Sequence, residues 1–120
     1  RSLDWAGQII FSNGDAQFFD SPVSLLMFLN DVPRYSAGRT ADDIVARYVT
    51  DVTSKEWIDA GAAFYVYGSN ALGPMRAGNL PAFAARSAAE DFARRRGGEV
   101  RALGAIDAAM LQSMSTQHPH

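Results

Sequence analysis

The dipeptide Asn13-Gly14, which lies between two short apolar segments, constrains the fold more than any other feature of this sequence. Both residues adopt positive φ angles readily, so the pair predicts a tight β-hairpin with strands at 8–11 and 16–19. The motif Asp20-Ser21-Pro22 follows directly and predicts a helix start, with the serine as N-cap and the proline at the first helical position. A ββα unit is therefore expected at the beginning of the chain.

A second group of elements is predicted after a polar loop at 36–43. Its strands lie at 44–52 and 62–67, separated by a turn at Ser54-Lys55 and the segment Trp57-Ile58-Asp59, and they are followed by a helix at 87–96, a strand at 99–103 and a helix at 106–115. Ser87 and Glu90 form the pattern of a capping box at the start of the first of these helices, and Gly97-Gly98 predict its end.

The order of elements is interpreted as β-β-α followed by β-β-α-β-α, which indicates a duplicated ββα unit. The helices are too few for a doubly wound sheet, so the prediction is an α+β fold in which helices pack on antiparallel sheet. Residues 1–40 form the first unit, and residues 41–120 form the second unit with a C-terminal strand and helix. The length suits one compact domain.

Composition excludes several classes of protein. A net charge of −2 and a pI of about 5.5 are inconsistent with the basic footprint of a nucleic-acid-binding protein. Cysteine is absent from the 120 residues, so disulfides and thiol catalysis within this sequence are excluded. No apolar run reaches the 18 or so residues of a transmembrane helix.

Several segments carry a resemblance that goes beyond periodicity. The most distinctive combines Trp57-Ile58-Asp59-Ala60 with Ala63-Phe64-Tyr65-Val66-Tyr67-Gly68-Ser69 and is followed by Gly73-Pro74-Met75. Further matching segments lie at 6–14, 18–22, 48–51, 81–84, 88–92 and 97–100. Together they span the chain from about Trp5 to Ile106, and in order and spacing they resemble the NosL family, the accessory proteins of nitrous oxide reductase.

The resemblance implies a periplasmic, often lipid-anchored copper(I) protein. It would deliver copper for assembly of the nitrous oxide reductase cluster in denitrification, alongside a membrane transporter complex. It also implies a fold of two ββα units, similar to part of the organomercurial lyases. Cleavage of organomercurials requires cysteine thiolates, so that activity is not expected here.

One feature departs from the family pattern. The copper site of the family begins with a Cys-x-Met motif upstream of the first strand, whereas here Arg1-Ser2-Leu3-Asp4 precede Trp5. Because the chain starts with arginine rather than methionine, the expectation is that the motif lies upstream of this sequence. The alternative is a diverged member without it. In both cases these residues should bind copper weakly or not at all through thiolate.

Methionine supplies the remaining soft ligands. Met75 is the candidate copper(I) ligand, because a thioether suits this ion and because its Gly-Pro-Met loop matches that of the family. The alternative is that Met75 fills a gap in the core. Met110, Met114 and His118 recur every four residues and form a weaker candidate, in which Met110 is explained more simply as a core residue.

The carboxylates Asp20, Asp51 and Asp59 are interpreted as structural. Asp20 would start the first helix, and Asp51 and Asp59 would cap strand ends or pair with Arg47 or Arg76. No Ser-His-Asp arrangement can be assembled, so no enzyme is predicted.

In the aromatic segment, alternation places Phe64 and Val66 on one face of a strand and Tyr65 and Tyr67 on the other. With Trp57, these side chains form sheet core and rim, or a surface that docks a partner. Two functions follow as hypotheses: copper delivery, and a diverged interaction module that binds no metal.

Overall fold

The computed structural model describes residues 6–68 and 80–116, with side chains through residue 112. Its strands are β1 (Gly7–Phe11), β2 (Ala16–Phe19), β3 (Ile44–Thr50), β4 (Trp57–Asp59), β5 (Phe64–Tyr67), β6 (Ala82–Phe83) and β7 (Glu99–Ala102). Its helices are α1 (Pro22–Asn30), α2 (Val32–Tyr35), α3 (Arg86–Arg96) and α4 (Ala108–Thr116). The mixture of helices with antiparallel sheet confirms the α+β prediction.

The first sheet has four antiparallel strands in the order β2-β1-β3-β4. The predicted hairpin is confirmed: Gly14 has a φ of +93°, and the side-chain carbonyl of Asn13 accepts a hydrogen bond from the backbone N–H of Asp15. Ile9 and Val49 are fully buried in the main apolar core, to which α1 contributes Leu25. Because β3 pairs with β1, residues on both sides of position 40 share this sheet, while the division into two units at that position stays a prediction.

The second sheet has three antiparallel strands in the order β6-β5-β7 and is covered by α3. The predicted alternation along β5 is confirmed. Phe64 and Val66 pack in a small cluster with Phe92 of α3, whereas Tyr65 and Tyr67 belong to the main core. The sheet is thus packed on both faces, and Tyr65 is completely buried. The likeness to organomercurial lyases stays a prediction.

The start of α3 differs from the prediction. The helix begins at Arg86 with Ala85 at the N-cap position, and no side chain caps it, so the Ser87–Glu90 capping box is wrong. Glu90 instead accepts a 3.0 Å hydrogen bond from Nε of Arg86, one turn earlier on the same exposed face. The predicted end at Gly97-Gly98 is confirmed, since both glycines have positive φ.

A short helix that was not predicted follows α1. α1 ends at Asn30, the chain leaves it at Asp31, and Val32 and Pro33 then begin α2. Proline is tolerated there because the first turn of a helix needs no hydrogen bond from its N–H. Stacking of Tyr35 on Phe28 holds α2 against α1.

Candidate functional site

Met75 lies outside the described residues, but the two flanks of its segment are well anchored. On one side β5 ends at Tyr67 and Gly68, where a φ of +87° suits glycine. On the other side Leu80 is completely buried, and the carbonyl of Pro81 accepts a 3.1 Å hydrogen bond from the N–H of Val66. The segment that carries Met75 therefore connects the end of β5 to the start of β6 in the second sheet.

Two methionines are described with their side chains, and both are half-buried. Met27 on α1 and Met110 on α4 pack against the main apolar core, which confirms the interpretation of Met110 as a core residue. The side chain of Met114 and the whole of His118 lie outside the described part. Among the described residues, no group of three or more His, Cys, Asp or Glu side chains could hold a metal ion.

Asp51 has a structural role that agrees with the predicted capping of a strand end. It is 8% exposed, and its carboxylate accepts hydrogen bonds from the backbone N–H groups of Thr53 at 2.9 Å and Ala84 at 3.4 Å. A parallel bridge between Asp51 and Ala82 lies beside these bonds. Asp51 thus joins the end of β3 to the region of β6, and Arg76, its alternative partner, lies outside the described residues.

Asp59 lies near Arg47, as predicted, but caps a turn instead of forming an ion pair. One of its carboxylate oxygens accepts a 3.1 Å hydrogen bond from the N–H of Gly61. The hydroxyl of Tyr65 lies close by and donates a 2.6 Å hydrogen bond to the carbonyl of Ala60. Burial raises the pKa of Tyr65 far above its ordinary value; the charge of Arg47 opposes this rise and that of Asp59 adds to it. The phenol therefore stays a hydrogen-bond donor.

The outer face of the first sheet carries exposed apolar side chains. Phe18 is 65% exposed and Trp57 46%. Val45, near the start of β3, is also exposed, at 64%. Phe18 and Tyr48 lie on either side of Gln8 in the register of β2, β1 and β3, which places both aromatic rings on this face. Trp57 was predicted to belong to the sheet core and rim or to a docking surface. The exposure of Phe18 and Val45 was not predicted, because alternation gives the two faces of a strand without showing which one is covered.

This fold, with its two antiparallel sheets, agrees with the result of a comparison with models of protein families. A model of the NosL family matches residues 2–111. The chain belongs to the NosL family. The match covers most of the sequence and includes both sheets, all of α3 and the segment with the Gly-Pro-Met motif.

Two solved structures of NosL proteins share the fold. The crystal structure of the copper chaperone NosL from Shewanella denitrificans superposes with a TM-score of 0.74 at 23% identity, covering 87% of this chain and 79% of that chain. The solution structure of apo-NosL from Achromobacter cycloclastes gives a TM-score of 0.61 at 28% identity, with coverages of 88% and 87%. No curated protein matches the chain. None of the described helices is long and apolar enough to cross a bilayer.

Proposed function

We propose that this protein is a copper(I) accessory protein that delivers copper for assembly of the nitrous oxide reductase cluster. The observation that carries the proposal is the NosL family match over residues 2–111. The shared fold with the copper chaperone from Shewanella denitrificans and the 28% identity with apo-NosL from Achromobacter cycloclastes support it. In this role the protein carries copper as cargo and catalyses no reaction.

The ligands proposed for copper are soft sulfur atoms. Thioether and thiolate groups favour copper(I) over harder divalent ions, and the 120 residues contain methionine but no cysteine. Met75 is the proposed thioether ligand within this sequence. A thiolate from an upstream Cys-x-Met segment is the proposed second ligand, and without it the affinity should be low.

Met75 is a better candidate than the methionines on the helices. Met27 and Met110 pack against the apolar core, so coordinating an ion would cost each of them packing contacts. The flanks of the segment with Met75 are fixed by buried Leu80 and by the bond between Val66 and Pro81. A ligand on a connection between two strands can meet a partner without unfolding the core.

Delivery is proposed to proceed by ligand exchange in the periplasm, with nitrous oxide reductase and a membrane transporter complex as partners. Copper(I) accepts two or three soft ligands, so an incoming sulfur or imidazole ligand can bind before the outgoing one leaves. A lipid anchor attached upstream would hold the protein at the membrane. These partners and this location are part of the proposal because the resemblance to the NosL family implies them.

The test is a copper(I) competition titration against a chromophoric chelator under anaerobic conditions. It would use the protein isolated from its native host, with its intact mass measured, beside the 120-residue chain. We expect additional N-terminal mass and tight one-to-one copper binding in the native protein. The chain alone should compete weakly.

Matched variants of the native protein identify the thioether ligand. Met75→Leu should weaken copper(I) binding by about tenfold or more, equivalent to about 1.4 kcal/mol. Met110→Leu removes a thioether at nearly constant volume from a side chain that packs against the core, and should leave the affinity unchanged. Equal affinities for the two variants would remove Met75 from the ligand set.

A second candidate function is an interaction module that binds no metal. It is favoured by the exposed apolar side chains of Phe18 and Trp57 on the outer face of the first sheet. A native mass equal to that of these residues, together with no competition for copper, would support this function and contradict copper delivery.

A further inference from the structure

Arg47 lies on the helix-facing side of β3, where apolar residues are the rule. It is directly opposite Ile9 in the sheet register, and Ile9 is completely buried. Arg47 itself is half-buried, and within the described residues its guanidinium has no hydrogen-bond or ion-pair partner. Removing a guanidinium from water is unfavourable unless hydrogen bonds or an ion pair replace its hydration, so the position of Arg47 requires an explanation.

Five other arginines form ion pairs with carboxylates of the chain. A carboxylate oxygen lies between 2.5 and 3.3 Å from a guanidinium nitrogen in the pairs formed by Arg39, Arg86, Arg94, Arg95 and Arg101. Asp59, near Arg47, instead accepts the N–H of Gly61, and the hydroxyl of Tyr65 is committed to Ala60. The donors of Arg47 are therefore available to an anion from outside the chain.

Two concavities meet at Arg47. The first has a volume of about 380 Å³ and is lined by Arg47, Asp59 and apolar or small residues that include Leu29, Ile44 and Val45. The second, of about 210 Å³, is also lined by Arg47 and Leu29, and its other walls are mostly apolar, with Leu26, Leu103, Ile106 and Leu111. A charged group and an apolar cleft are thus placed side by side.

Gly61 makes room for the guanidinium. A Cβ atom at this position would lie 2.7 Å from Nη2 of Arg47, which is too close for an unperturbed contact. The side chain of Arg47 therefore lies across the turn after β4, with one end of the guanidinium against this glycine. The planar fork of an arginine can bind both oxygens of a carboxylate through parallel hydrogen bonds.

We propose that the Arg47 site binds a small aliphatic carboxylate. The carboxylate pairs with the guanidinium of Arg47, and the alkyl chain lies against Leu29 in the cleft formed with Leu103 and Leu111. The site lies among the described residues and requires neither cysteine nor Met75, so the proposal is independent of copper delivery.

The test is an NMR titration of the protein with hexanoate, compared with hexylammonium and 1-hexanol as probes of equal chain length. We expect hexanoate to cause saturable shifts of the Arg47 side-chain resonances and of the methyl groups of Leu29, Leu103 and Leu111. The other two probes should bind at least about tenfold more weakly, because neither offers the guanidinium a negatively charged acceptor. Absence of saturable shifts, or equal binding of 1-hexanol, would overturn the proposal.

Variants separate the charge of Arg47 from its effect on folding. Arg47→Met should reduce hexanoate binding about tenfold or more. Arg86→Met, which removes an exposed arginine paired with Glu90, should leave it unchanged. Asp59→Asn keeps an acceptor for the N–H of Gly61 but removes a negative charge, so hexanoate should bind more tightly. Weaker or unchanged binding to Asp59→Asn would contradict the site even if Arg47→Met failed to fold.

Discussion

The hydroxyl of Tyr65 donates a 2.6 Å hydrogen bond to the carbonyl of Ala60, and both residues are completely buried. Tyr65 belongs to β5 of the second sheet, whereas Ala60 follows β4 of the first sheet and donates its own N–H to the carbonyl of Arg47 on β3. This chain of bonds links the two sheets through the main core. Burial keeps the phenol protonated and hence a permanent donor.

Replacing Tyr65 with phenylalanine should destabilise the protein by about 1–3 kcal/mol, since the carbonyl of Ala60 is then left buried without this donor. Urea denaturation followed by circular dichroism measures the change. Tyr67→Phe is the control, because Tyr67 is half-buried on the same strand face and its hydroxyl carries no comparable bond in the described structure. Similar losses in the two variants would contradict a specific role for the bond between Tyr65 and Ala60.

Asp51 should contribute to stability and not to chemistry. Asp51→Ala removes the acceptor for the N–H groups of Thr53 and Ala84, and we expect a loss of about 1–3 kcal/mol in the free energy of unfolding. Asp51→Asn, which retains one acceptor oxygen, should lose less. Asp20→Ala at an exposed position should stay within about 0.5 kcal/mol of the parent. This role is supported if the loss in the free energy of unfolding is largest for Asp51→Ala, smaller for Asp51→Asn and smallest for Asp20→Ala.

Local signals predicted much of the fold because they act within a few residues. The turn at Asn13-Gly14 and the alternation along β5 depend on backbone preference and side-chain periodicity, and both are confirmed. The start of α3 could not be predicted in the same way. Ser87 and Glu90 have the spacing of a capping box, but α3 begins one residue before Ser87, at Arg86. The side chain of Glu90 pairs with that of Arg86 instead of capping the helix.

The candidate sites were predictable only in part. A resemblance placed Met75 in a copper site, and this stays a prediction because the residue lies outside the described part. The sequence indicated Arg47 merely as a partner for a carboxylate. That it faces the apolar side of β3 with its donors free depends on the register with Ile9 and on the space left by Gly61. Such relationships between distant residues are visible only in the folded chain.

The two serines at the beginnings of α1 and α3 should differ in their effect on stability. Ser21 caps α1, and its hydroxyl oxygen accepts a hydrogen bond from the N–H of Ser24. Ser21→Ala should therefore cost about 0.5–2 kcal/mol. Ser87→Ala should cost little, because Ser87 lies inside α3 and does not cap it. Thermal unfolding compares the stability of the two variants directly. A larger loss of stability in Ser87→Ala than in Ser21→Ala would support the capping-box prediction after all.

Asp15 should make stability depend on pH in the acid range. Its carboxylate accepts hydrogen bonds from the side chains of Asn13 and Arg39, which lower its pKa below the ordinary value of 3.8. As the pH falls, the unfolded chain is protonated at this position before the folded one. The stabilisation is therefore complete above pH 3.8 and is lost as the pH falls through the lower pKa of the folded state.

Comparison with Asp15→Asn tests this dependence. The stability difference between the parent and the variant should be constant near neutral pH and should shrink in acid, below the ordinary pKa of 3.8. Urea titrations at a series of pH values measure it. A difference that grows in acid would mean that the pKa is raised, contrary to the geometry of Asn13 and Arg39.

Two glycines beside the main core should respond in opposite ways to an added methyl group. A Cβ atom at Gly7 would lie 2.7 Å from Cδ1 and 3.3 Å from Cβ of Leu25, which is completely buried. Gly7→Ala must therefore displace a packed side chain and should cost about 1–3 kcal/mol. At Gly61 the close atom is Nη2 of Arg47, the far end of a flexible side chain that can move aside.

Gly61→Ala should accordingly change the free energy of unfolding little, and the lower entropy of the unfolded chain can add about 0.4–1 kcal/mol of stability. Its effect should appear instead at Arg47, as shifted guanidinium resonances and weaker hexanoate binding. Urea denaturation measures the free energy of unfolding, and NMR measures the guanidinium resonances and hexanoate binding. Equal destabilisation by the two alanines would mean that Arg47 is fixed as firmly as Leu25, and that its guanidinium is a structural element rather than a group available to a ligand.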